Sequence, residues 1–125
     1  AVQQAIASVL AAQGARLDAI YACPHHASGQ GAFAVAHHPA RKPKPGMLLR
    51  AAADLDLSLR ESWMVGDKTI DIEAAKRAGL AGAMHVLTGY GEAERARSAQ
   101  FAGPGFELRF GRSIADALTL PILAR

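Results

Sequence analysis

Apolar residues at Val2, Ile6, Val9 and Leu10 recur at helical spacing through an alanine-rich stretch. The pattern predicts a helix over 2–13 that stops at Gly14. The run LDAIYAC, residues 17–23, is short and apolar and reads as a strand. Residues 24–45 carry no period and read as a long loop, a length that in compact domains marks a functional or disordered segment. Met47, Leu48, Ala51 and Leu55 then share one helical face, and the prolines before them give that helix a sharp start. SWMVGD, residues 62–67, is a buried-type strand. A helix follows over 69–78, with Gly79 suited to end it in a left-handed conformation. AGAMHVL, residues 81–87, is another strand. Residues 89–105 are glycine-rich and charged, with one helical stretch over 92–100 whose charges, Glu92 to Arg97, read as a solvated face. FELRF, residues 106–110, is a short strand, and Ser113 caps a last helix running to Leu118.

Strands alternating with helices predict an α/β fold: a parallel sheet with helices on both faces. Ligands of such sheets bind beyond the carboxyl ends of the strands. That rule gathers the loop after Cys23, the Gly66-Asp67-Lys68 bend and the loop after Leu87 at one edge. Trp63 and His85 lie within strands and read as core or sheet-edge residues.

Composition narrows the partners. The chain has 125 residues, enough for one domain, and half of them are hydrophobic. Fourteen Lys and Arg against eleven Asp and Glu give a net charge of +3, a mild excess suited to an anionic substrate. No basic stripe interleaved with aromatics is present, which argues against nucleic acid. No apolar run reaches the roughly 18 residues of a membrane span. A single Cys excludes an internal disulfide framework and fits a reducing, cytoplasmic compartment. The sequence opens on Ala1, without a leader-like pattern and on what reads as the middle of a helix. The expectation is a piece of a longer protein.

Two segments carry candidate chemistry. In VGDKTID, Asp67 falls where a buried strand gives way to a helix, and Asp71 follows four residues later. Hard oxygen ligands so placed suit Mg²⁺, which takes one or two carboxylates together with waters and substrate phosphate. Lys68 adds a cation beside them. The structural alternative is that Asp67 caps the helix and Asp71 is a first-turn acid favoured by the helix dipole. In RKPKPG, Arg41 offers a bidentate fork to phosphate and Lys42 a point charge, and Pro43 and Pro45 stiffen the run. Its alternative is a solvated basic turn. Together at one sheet edge, the two segments describe a phosphate-ester site.

These residues, CPHH…HHPARKPKPGMLL…SWMVGDKTIDIEAAKRAG, resemble the haloacid dehalogenase (HAD) superfamily of phosphohydrolases, most closely the subgroup of heptose bisphosphate and histidinol-phosphate phosphatases. The resemblance runs from about Tyr21 to Gly79. It implies a cytoplasmic, monomeric, Mg²⁺-dependent phosphatase that takes a small sugar phosphate, D-glycero-D-manno-heptose 1,7-bisphosphate, to its 1-phosphate. It further implies that Lys42 holds the transferring phosphoryl group, that Arg41 recognises the distal part of the substrate, and that Lys68 contacts substrate. Asp67 then holds Mg²⁺ and Asp71 supports it from behind. The alternatives are a histidinol-phosphate phosphatase, a non-catalytic phosphate-binding fragment, and a histidine-rich metal-binding module.

Two departures stand out. The superfamily's D-x-D-G-T nucleophile motif does not occur in these 125 residues. The whole chain is therefore expected to be the C-terminal portion of one phosphatase domain, inactive alone, with the nucleophile preceding it. The subgroup's loop, here 23–45, takes the place of a large cap and often carries structural Zn²⁺. Cys23, His25 and His38 match three of its ligand positions, but Ala40 stands at the fourth, and structural zinc sites are four-coordinate. The reading favours a loop ordered by its own packing over a zinc loop.

Overall fold

The computed structural model describes residues 2–19 and 42–123. Helix α1 is Val2–Ala12, and Gly14 beyond it has a positive φ. Of the strand expected over 17–23, residues 17–19 are not extended into a sheet, and the remainder lies outside the described residues. Helix α2 (Gly46–Leu55) starts directly after Pro45. Strand β1 (Trp63–Gly66), helix α3 (Thr69–Ala78), strand β2 (Gly82–Val86), helix α4 (Gly91–Ala99) and strand β3 (Glu107–Gly111) follow in the expected order.

The three strands form one parallel sheet in the order β1-β2-β3. Register sets the faces, because successive side chains of a strand point to opposite sides. Met64, Ala83 and Leu108 are aligned across the sheet and share one face. On it lie Ile72, Ala75 and Ala78 of α3, with Leu80 and Phe106 completing the cluster. The alanines let α3 approach the sheet closely, and Ile72 is fully buried between them. Burying such a side chain contributes about 1.5–3 kcal/mol. Trp63, Val65, Met84 and Val86 share the opposite face and pack with Ala117 and Leu120. Trp63 is thus partly buried packing, with the Arg109 guanidinium 5.6 Å from its ring centre.

Helices α3 and α4 lie on the first face. Among the described residues, the second face carries a 3-10 helix, Ile114–Thr119. This is the segment whose cap suggested an α-helix. Ser113 does cap it, its hydroxyl accepting from the Ala115 N–H at 3.3 Å, but the segment is six residues long and runs into Pro121. A tight i→i+3 turn suits so short a stretch better than an α-helix, for which few i→i+4 bonds could close.

Candidate functional site

Strand β1 ends at Gly66, residues 67 and 68 form a bend, and α3 begins at Thr69. The helix is capped from within its first turn. Oδ2 of Asp71 accepts the Lys68 main-chain N–H at 3.3 Å. Asp71 is only 6% exposed, and its other oxygen, Oδ1, is ion-paired with Nζ of Lys42. Both oxygens of this buried carboxylate are therefore engaged within the protein, as a buried charge requires. Gly66 explains how the acid fits: a Cβ there would lie 2.5 Å from Asp71 Oδ2.

Asp67 is held differently. It does not cap α3, whose N-cap residue is Lys68. Instead its Oδ2 accepts the Tyr90 main-chain N–H at 2.9 Å, across the sheet edge from the turn after β2. Gly89 in that turn has φ +60°, and a Cβ there would collide with the same oxygen. Of the structural alternatives, then, helix capping describes Asp71 but not Asp67. Lys68 points its ammonium at the face of Tyr90, 4.3 Å from the ring centre.

The edge thus gathers Lys42, Asp67, Lys68, Asp71 and the Gly89-Tyr90 turn. Lys42 is 37% exposed, so its ammonium is anchored by Asp71 while remaining open to a ligand. Among the described residues no three His, Cys, Asp or Glu side chains cluster as a metal cage. Asp67 fits the other kind of cation site. A single rigidly held carboxylate suits Mg²⁺, which completes its shell with water and phosphate oxygens. Arg41 and the loop residues Cys23, His25 and His38 lie outside the described residues.

Two supporting contacts have no counterpart in the sequence reading. The carboxylate of Glu94 on α4 accepts the Thr69 N–H at 3.0 Å, and this bond, more than the nearby Arg97 and Lys68 charges, holds its pKa below the ordinary value. Glu94 is therefore a brace on the start of α3 rather than one more solvated charge. His85 is fully buried on β2, and its Nε2 donates to the Gly91 carbonyl at 2.7 Å, fixing the turn that carries Tyr90.

Comparison with known proteins places this edge in context. The HAD-hydrolase-like family model matches residues 39–106. The chain is 46% identical over 81 residues to the D-glycero-beta-D-manno-heptose-1,7-bisphosphate 7-phosphatase of Mesorhizobium japonicum, covering 65% of this chain and 37% of that protein. It is 47% identical over 73 residues to the D-glycero-alpha-D-manno-heptose-1,7-bisphosphate 7-phosphatase of Burkholderia mallei, covering 58% and 38%. Among solved structures, the D,D-heptose 1,7-bisphosphate phosphatase of B. bronchiseptica, complexed with magnesium and phosphate, is similar with a TM-score of 0.79 and 28% identity over 99% of this chain and 63% of that one. A HAD-like phosphatase of Mesorhizobium loti is similar with a TM-score of 0.78 and 35% identity, over 98% of this chain and 53% of that one. The chain spans about two fifths of the length of the curated relatives it matches.

Proposed function

This chain belongs to the HAD-like hydrolase family, and from that premise we propose that the protein containing it is a Mg²⁺-dependent sugar-bisphosphate phosphatase. Its substrate is D-glycero-D-manno-heptose 1,7-bisphosphate, from which it releases the 7-phosphate and leaves the 1-phosphate. The observation that carries the reading is the sheet edge itself. An open carboxylate, Asp67, and an anchored ammonium, Lys42, meet there in a chain whose relatives carry that activity in their names.

Each residue has a part. Asp67 holds the cation, which when bound offsets charge on the phosphoryl oxygens. Lys42 binds the transferring phosphoryl group, oriented by Asp71, which neutralises it in the resting state and holds the bend through Lys68. Lys68 contributes a second positive charge, and Arg41 recognises the distal part of the sugar. Hydrolysis breaks the bond between phosphorus and the sugar oxygen, and the nucleophile for that step is assigned to no residue of this chain. The protein acts as a monomer in the cytoplasm. In support of a protein off the membrane, no helix of the described residues is long and apolar enough to cross one.

The test is phosphate release by the full-length protein, with and without Mg²⁺, from both anomers of the heptose bisphosphate and from histidinol phosphate. Mg²⁺-dependent release from one or both heptose anomers is expected. Turnover of histidinol phosphate alone, or of none of these, would contradict the proposal.

A further inference from the structure

The turn between β2 and α4 touches both charged groups of the β1 bend. The Tyr90 N–H bonds Asp67, and the Tyr90 ring lies under the Lys68 ammonium at 4.3 Å. Tyr90 is itself 62% exposed, so the residue that makes both contacts stands at the open edge of the site. The turn is not free to drift. Gly91 N–H bonds the Thr88 carbonyl at 2.9 Å, and the buried His85 ring bonds the Gly91 carbonyl from below. Tyr90 is thus an exposed residue on a fixed mount.

We propose that Tyr90 is a positioning residue of the phosphate site, its main chain fixing Asp67 and its ring holding the Lys68 ammonium where a phosphate ester binds. This rests on the function proposed above. A lysine carries three rotatable donors on a flexible stem, and confining it costs side-chain entropy. A ring face that attracts the ammonium meets that cost before the substrate arrives. The ring touches Lys68 rather than the reacting atoms, so its loss weakens ground-state and transition-state binding alike. The effect belongs on KM, not on kcat.

The experiment uses the full-length protein as wild type, Tyr90→Phe, Tyr90→Leu, Lys68→Met and the Tyr90→Leu/Lys68→Met double variant. Two readouts are taken: kcat and KM on the heptose bisphosphate, and the Kd of inorganic phosphate in the presence of Mg²⁺. An exposed cation–π contact corresponds to roughly two- to five-fold in binding. Tyr90→Leu is expected to raise KM and the phosphate Kd by about that factor, with kcat within about two-fold. Tyr90→Phe, which keeps ring and N–H, restores the wild-type values. In the Lys68→Met background the Tyr90→Leu change is expected to add nothing. An effect of Tyr90→Leu that persists undiminished without Lys68, one that falls on kcat alone, or no effect at all would overturn the inference. The two readouts separate it from the functional proposal. Phosphate binding that shows the coupling without sugar-phosphate turnover refutes the function alone, and turnover without the coupling refutes the role of Tyr90 alone.

Discussion

Helix α3 has two regions that differ in what they do with their neighbours. Its body presents Ile72, Ala75 and Ala78 to the sheet, apolar groups that gain by leaving water. Its first turn and the bend before it present Asp67, Lys68 and Asp71, charged groups that lose by leaving water unless each is paired. Across the bend and the first turn the two acids diverge again. Asp71 gives both oxygens to the protein, to Lys42 and to the Lys68 N–H, whereas Asp67 is held by one main-chain donor and keeps an oxygen for a ligand. On the proposed function, the body of this ten-residue helix serves stability, and its first turn with the bend before it serves chemistry.

That division can be broken from either side. The largest effect is expected from Asp67→Asn in the full-length protein. A neutral amide cannot replace a carboxylate on Mg²⁺, so turnover should fall by two orders of magnitude or more, ~3 kcal/mol, and the Mg²⁺ requirement should rise. The melting temperature should change little, because Asp67 does not cap α3 and the amide oxygen of Asn can still accept the Tyr90 N–H. Ile72→Ala should do the reverse. It leaves a cavity under α3 and should destabilise the fold by about 2–5 kcal/mol in denaturant titrations, with kcat/KM of the folded protein at 25 °C preserved.

A smaller effect sharpens the comparison inside the site. Lys42→Ala is expected to act on kcat, since the charge it meets redistributes in the transition state. Arg41→Ala is expected to raise KM for the bisphosphate more than for a simple aryl phosphate. Each charge-assisted contact contributes roughly 1.5–3 kcal/mol, or about 10- to 150-fold in kcat/KM. Equal losses for both variants on both substrates would make Arg41 and Lys42 one undifferentiated basic patch.

The smallest effect concerns pH. The Thr69 N–H holds the Glu94 carboxyl below its ordinary value of 4.5. A depressed folded-state pKa means that stability is present above the unfolded value and lost as pH falls through the folded one. The difference in melting temperature between wild type and Glu94→Gln should therefore be largest at neutral pH and shrink below about pH 4.5. A difference that is constant with pH would remove the ionised carboxylate from the explanation.

Much of this was legible in the residues, for reasons that also set the boundary. The α3 limits, Thr69–Ala78, follow from period and from Gly79, both local signals. Asp67 stands out in the sequence because it ends an apolar run and opens a helical one, although helix capping remained its structural alternative there. The Lys42–Asp71 pair was not legible as a contact, because 29 residues separate the partners and each has a local alternative. The clamp on Asp67 comes from a main-chain N–H, which any residue supplies. Its trace in the sequence is Gly89, whose missing side chain makes room for the carboxylate. Glu94 was read as solvated because one acid in a charged stretch resembles the rest until a neighbouring helix end is placed beside it. The last helix was misjudged for the opposite reason: a good cap says where a helix begins, not which helix it is.

The central claim is that the β1 edge binds Mg²⁺ and phosphate together, and it is tested most directly by a crystal structure of the full-length protein with both present. The account predicts Mg²⁺ coordinated by a carboxylate oxygen of Asp67, with phosphate oxygens on the metal and within hydrogen-bond reach of Lys42 and Lys68. Phosphate bound away from this edge, or Mg²⁺ bound without Asp67, would contradict it.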